Sequence, residues 1–123
     1  IEGAQLVAMQ KNRYWKSVEG YRLDVGAFVS ALEYSSGRPA IIVGKPTPNH
    51  FDLASQEWNF PSNEIIMVGD DLSVDIGGAL SAGMQSVLVK TGKFRETDLR
   101  RTDIKPNYII DSILDLPAVL GLN

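Results

Sequence analysis

Glu64-Ile65-Ile66-Met67-Val68-Gly69-Asp70-Asp71-Leu72-Ser73-Val74-Asp75-Ile76-Gly77-Gly78 is the stretch on which the fold turns. It begins as a short, continuous apolar run, the pattern of a strand buried on both faces of a parallel sheet. Gly69 breaks the run, three carboxylates follow within six residues, and a helical pattern then starts. A buried strand is therefore expected to deliver Asp70, Asp71 and Asp75 at its carboxyl end, where open α/β sheets keep their ligands.

Converging acids need a counter-charge. Two carboxylates about 5 Å apart at an effective dielectric of about 20 repel by about 3 kcal/mol. A helix N-terminus returns only about 0.3 to 1 kcal/mol per acid. If the three carboxylates meet, a metal ion or a lysine must make up the difference. If they splay into water, the stretch is a solvated acidic turn with Asp71 or Ser73 as an N-cap.

On either side of this stretch, strands and helices alternate. Ala40 to Val43 reads as a short strand closed by Gly44, and Thr47 caps a helix with Pro48 at its first position. Phe51, Ala54 and Trp58 give that helix an apolar face, and Pro61 ends it. After the acidic stretch a helix from about Ser73 to Ala82 is expected, then strands Gln85 to Lys90 and Asn107 to Ile110, then a helix Ser112 to Leu120 interrupted by Pro117. Gly77 and Gly78 inside the first of these each cost about 1 kcal/mol relative to alanine, so close packing or a nearby ligand must offset them. The alternation implies βαβ units and a largely parallel sheet.

Ahead of residue 40 the pattern differs. Leu6 to Gln10 and Arg13 to Lys16 read as two strands joined in a hairpin at Lys11-Asn12, with Tyr14, Trp15 and Tyr21 as sheet and core residues. Asp24 then caps a helix carrying Phe28, Leu32 and Ser35 on one face and ending at Gly37.

Composition narrows the function. The chain has 123 residues, one domain at most by length, and a net charge of −3 that argues against a nucleic-acid surface. Cysteine is absent, which excludes thiolate metal sites and fits a reducing compartment, so a cytoplasmic location is expected. No apolar run approaches the ~20 residues that span a bilayer, so no membrane partner is expected. The single histidine, His50, leaves an Asp/Glu oxygen site for Mg²⁺ as the favoured metal chemistry. Lys45 follows a strand and precedes a capped helix, so its ammonium is placed to reach the same crevice as Asp70 and Asp75, or else lies on the surface. Gly44-Lys45-Pro46-Thr47 is not a phosphate-binding Walker loop, and no G-x-G-x-x-G follows a strand.

Taken in order, Gly44-Lys45-Pro46, Val68-Gly69-Asp70-Asp71 with Asp75-Ile76, Ala82-Gly83-Met84 and Val87-Leu88-Val89-Lys90-Thr91-Gly92 resemble the haloacid dehalogenase (HAD) superfamily of phosphohydrolases. The nearest branch has a large α/β cap and includes the HAD-like hydrolase domain-containing, phospholysine phosphohistidine pyrophosphate and NagD-like phosphatases. The resemblance implies that residues 1–39 are the end of the cap, and that residues 40–123 are the C-terminal part of a Rossmann-like catalytic core. It implies two-step hydrolysis of a small phosphorylated substrate, in which an aspartate attacks phosphorus with Mg²⁺ as cofactor and water then cleaves the aspartyl-phosphate. Lys45 would then neutralise nucleophile and phosphate, Asp70 would ligate Mg²⁺, Asp75 would support the metal's water shell, and Asp71 would assist.

One departure is large. The family's Asp-x-Asp-Gly-Thr nucleophile motif and its phosphate-binding Ser/Thr motif do not occur in these residues. Asp24-Val25-Gly26 is no substitute, since it lacks a second aspartate and a preceding apolar strand. The chain is therefore expected to be a piece of something longer, inactive alone, with a bare sheet edge at Glu64 to Val68 that a preceding segment, a second chain or self-association covers. Two other readings compete: a non-catalytic interaction module with the same fold, and a receiver-like signalling domain with Asp111 as its phosphoacceptor.

Overall fold

In a computed structural model that describes residues 3–122, the chain runs β1 (Val7–Ala8), β2 (Tyr14–Ser17), β3 (Gly20–Leu23), α1 (Val25–Ser36), β4 (Ile41–Ile42), α2 (Pro48–Trp58), β5 (Ile66–Gly69), α3 (Gly77–Ser81), β6 (Gln85–Val89), α4 (Glu96–Arg101), β7 (Tyr108–Ile110) and α5 (Leu116–Val119). Strands β5, β6 and β7 form a parallel sheet in that order, with Val68 opposite Val87 and Val87 opposite Tyr108. The expected parallel α/β arrangement is present.

The period-2 alternation of β6 organises the core. Val87 and Val89 point to one face, where they pack with Ile110, Ile66, Val68 and the α5 residues Leu116 and Val119. Leu88 points to the other, against Leu72 and Ile76. Beside that second cluster, Phe51 of α2 meets Ala79 and Met84. Ser86 is fully buried, and Asn107 Oδ1 accepts from both its N–H (2.8 Å) and its hydroxyl (3.1 Å), so the buried polar residue of the strand is satisfied. Two helical layers thus sandwich the sheet, and β5 forms one edge with all four of its residues half-buried.

The segment before residue 40 departs from the expected hairpin. β1 pairs in parallel with β4, Val7 opposite Ile41, instead of with residues 13–16. Lys11-Asn12 makes no hairpin turn and instead packs on the start of α1: Gly26 N–H donates to Asn12 O at 2.9 Å, and the backbones approach so closely that a Cβ on Gly26 would lie 2.6 Å from Lys11 O. The hairpin is instead β2 with β3, turning at Val18-Glu19, where Ser17 Oγ accepts from Glu19 N–H and donates to Gly20 O. Tyr14, Trp15 and Tyr21 lie in this two-stranded ribbon but are exposed, because a ribbon buries neither face. Helix α1 has the expected caps, Asp24 and a left-handed Gly37, but its buried residues are Gly26 and Val29, while Phe28 and Leu32 are exposed.

The helix expected from Ser73 also changes form. Residues Leu72–Ile76 make a wide π-type turn, because Asp71 O accepts from both Asp75 N–H (2.9 Å) and Ile76 N–H (3.2 Å), and α3 begins only at Gly77. Gly78 is needed there: a Cβ would lie 2.5 Å from the Phe51 ring and 3.2 Å from Pro46 Cα. At the other end, Pro117 sits at the start of α5 and divides the expected last helix into a 3₁₀ turn, Ile113–Asp115, and a short α-helix. No helix among the described residues is long and apolar enough to cross a membrane.

Candidate active site

β5 ends at Gly69 and hands the chain directly to Asp70 at the carboxyl edge of the sheet. Gly69 has no side chain because that space belongs to Asp75: a Cβ would overlap the Asp75 carboxylate. The wide turn carries Asp75 back under the strand end, where it is 6% exposed with both oxygens engaged. Oδ1 accepts from Lys45 Nζ at 2.5 Å and Oδ2 from Asp71 N–H at 3.2 Å. Lys45 reaches it from the loop after β4, which Thr47 fastens by donating from Oγ1 to Gly44 O at 2.7 Å.

Asp71 is the N-cap of the turn. Its Oδ1 accepts from Ser73 N–H, Ser73 Oγ and Val74 N–H at 3.0 to 3.2 Å, and its Oδ2 accepts from Lys93 Nζ at 3.3 Å. Burial pushes the Asp71 carboxyl up, but the hydrogen bonds from Val74 and Ser73 and the nearby Lys93 ammonium outweigh it and hold it below the ordinary carboxylate range. Asp70 differs from both. Its Oδ2 accepts from Lys93 N–H at 2.6 Å, and its Oδ1 has no hydrogen-bond partner among the described residues. The Thr91-Gly92 turn after β6 shapes this contact, since Gly92 is left-handed (φ 51°) and a Cβ on it would overlap Asp70 Oδ2.

Lys45, Asp70, Asp71 and Asp75 are thus brought together, with two lysines supplying the counter-charge that three acids require. Lys93 is the member that reading the sequence missed, as a charge interspersed among others after β6. The signal that finds it is its place just past the carboxyl end of a parallel strand. Asp111 follows β7, is exposed and pairs with Lys90 at 2.9 Å, away from this cluster. His50 is exposed on α2, edge-on to Phe51.

Among the described residues, no three Asp, Glu or His side chains converge closely enough to enclose a metal ion by themselves. The open Asp70 Oδ1 does fit an ion of the Mg²⁺ type, which keeps several waters and takes one or two carboxylates together with a substrate phosphate. Asp70 and Asp71 line a cavity of about 440 Å³ whose other walls include Arg13, Tyr14, Lys93 and Arg95. That volume suits a small molecule.

A family model described as HAD-hydrolase-like matches residues 42–116. The chain is 41% identical over 120 residues to the phospholysine phosphohistidine inorganic pyrophosphate phosphatase of Bos taurus, covering 98% of this chain and 44% of that protein. It is 41% identical over 112 residues to the haloacid dehalogenase-like hydrolase domain-containing protein 2 of Bos taurus, covering 91% and 43%. Among solved structures, the 4-nitrophenylphosphatase of Thermotoga maritima matches with a TM-score of 0.85 at 34% identity, covering 95% of this chain and 45% of that one. The glycerol phosphate phosphatase of Mycobacterium tuberculosis, solved in complex with magnesium, matches with a TM-score of 0.76 at 31% identity, covering 87% and 32%. The chain therefore spans less than half the length of these relatives.

Proposed function

The chain belongs to the HAD-hydrolase-like family, and from that membership we propose that it supplies the Lys45, Asp70, Asp71 and Asp75 part of a Mg²⁺-dependent phosphatase site for small phosphorylated compounds. The observation that carries the reading is the meeting of a lysine, a buried acid and a half-open acid at the carboxyl end of β5, beside a cavity. In this reading residues 1–39 are the end of a cap and residues 40–123 part of the catalytic core.

Each side chain has a distinct task. Asp75, buried and doubly hydrogen-bonded, holds the Lys45 ammonium in place, where it neutralises charge on an incoming phosphate. Asp70 would offer its open Oδ1 to a metal ion, and Lys93 N–H holds the other oxygen so that the carboxylate does not rotate. Asp71 braces the turn that carries Asp75. Mg²⁺, when bound, supplies Lewis-acid stabilisation of phosphate charge. The attacking aspartate is not in this sequence, so in this reading it comes from another part of a longer protein whose strand lies along the open edge of β5. A cytoplasmic location belongs to the same proposal and fits the absence of cysteine.

Isothermal titration of the chain with propylphosphonate and Mg²⁺ tests it. Weak binding that requires Mg²⁺ and disappears in Asp70→Asn is expected, with no turnover of p-nitrophenyl phosphate. Binding indifferent to Mg²⁺ and to Asp70→Asn overturns the reading.

A further inference from the structure

The cavity carries charge that the phosphate site does not use. Arg13, Arg95 and Arg101 all line it, and none lies within ion-pair distance of a carboxylate among the described residues. The two lysines of the same cavity behave differently: Lys11 pairs with Glu33, and Lys93 with Asp71. Acids outnumber lysines and arginines in this chain by 15 to 12, yet the lining of this cavity holds these three arginines against Asp98 as its one acid besides Asp70 and Asp71, a local excess of positive charge.

Arg95 is also held in position. Its Cζ lies 5.0 Å from the Tyr21 ring centroid and 5.9 Å from that of Tyr14, and the two rings meet edge to face at 5.1 Å. These two tyrosines restrain the guanidinium, and its five N–H donors exceed what they can engage, so donors remain for an anion. A long side chain restrained in this way loses less rotamer freedom when it binds. The same strap of chain holds the metal-side acid, since Lys93 N–H donates to Asp70 two residues before Arg95. One strap of chain therefore carries both Arg95 and the contact to Asp70.

We propose that the cavity holds a second anion subsite, built on Arg95 together with Arg13 and Arg101. It selects phosphorylated compounds whose leaving group carries a further carboxylate or phosphate. The inference rests on the phosphatase reading, because it takes the Asp70 end of the cavity as the place of the transferred phosphate.

The test compares propylphosphonate with 3-phosphonopropionate, which differ by one carboxylate, by titration calorimetry of the whole chain with Mg²⁺ at low salt. The carboxylate is expected to tighten binding about tenfold, the scale of one charge-assisted hydrogen bond. Added salt should erode the preference, because the arginines are exposed. Arg95→Gln, at an exposed position, should bring the ratio close to one while the far-ultraviolet circular dichroism stays unchanged. Tyr14→Leu, which removes a stacking ring and no charge, should reduce it part of the way. Equal affinity for the two ligands in the unaltered chain overturns the subsite, as does a preference that survives Arg95→Gln combined with Arg13→Gln and Arg101→Gln. Propylphosphonate binding that ignores Asp70→Asn overturns the phosphatase reading instead, and the leaving-group assignment with it.

Discussion

Gly92→Ala and Gly37→Ala pose the same backbone problem in two surroundings, so their difference isolates one contact of the site. Both glycines are left-handed, with φ of 51° and 66°. An L-residue there costs about 1 to 2 kcal/mol. At Gly37 an added Cβ meets nothing within 4 Å, so Gly37→Ala should cost only that. At Gly92 the Cβ would fall on Asp70 Oδ2, the oxygen that accepts from Lys93 N–H at 2.6 Å. The carboxylate must swing aside and lose that bond, and hydrogen bonds to charged groups contribute about 1.5 to 3 kcal/mol. Gly92→Ala should therefore cost about 3 to 4 kcal/mol, about 2 kcal/mol more than Gly37→Ala. Urea unfolding followed by far-ultraviolet circular dichroism reads this directly. With a slope of about 1.5 kcal/mol/M, the midpoint should fall by about 2 M for Gly92→Ala and by about 1 M for Gly37→Ala. In an Asp70→Ala background the extra cost should vanish, because the colliding oxygen is gone. Equal midpoint shifts for the two alanines, or additivity of Gly92→Ala with Asp70→Ala, would refute the reasoning.

Two further expectations concern the neighbouring acids. Lys45→Met leaves Asp75 with one of its two partners, and because Lys45 is 39% exposed and Asp75 is 8% exposed in their side chains, the loss should be about 1 to 3 kcal/mol in the same urea assay, below the cost of breaking a fully buried pair; an unchanged midpoint would mean that water replaces the ammonium. Asp71 has its carboxyl held below the ordinary range in the folded chain, so its stabilisation is present above the unfolded value of about 3.9 and is lost as pH falls through the folded value. The stability difference between the native chain and Asp71→Asn should accordingly shrink as pH falls below about 5, and a pH-independent difference would exclude the assignment.

Local pattern carried most of what could be read in advance. β5 is an apolar run ending at Gly69, β6 carries the apolar Val87-Leu88-Val89, and the caps of α1 are single residues, so their signals lie within a few positions of the structure they cause. Partner choice is not local. Residues 6–10 and 13–16 both have strand pattern, and nothing in either shows that Val7 will pair with Ile41, more than thirty residues on, because a parallel partner is selected by the tertiary fold. Lys93 was hidden for the same reason, its role arising from Asp70 and Asp71 more than twenty residues before it.

The three acids look alike in sequence, and their roles separate only once their oxygens are followed. Asp75 and Asp71 have every carboxylate oxygen engaged by a lysine or a backbone N–H, whereas Asp70 keeps one open. The repulsion that demanded a cation is thus answered by Lys45 and Lys93 before any metal arrives. The fold has no electrostatic need of Mg²⁺, and one open carboxylate oxygen binds the ion weakly by itself. A phosphate would supply the remaining anionic oxygens, so ion and phosphate should each tighten the binding of the other. In the proposed phosphatase a site assembled this way would favour the metal when substrate is present, and its selectivity would then rest on what else in the cavity grips the phosphorylated compound.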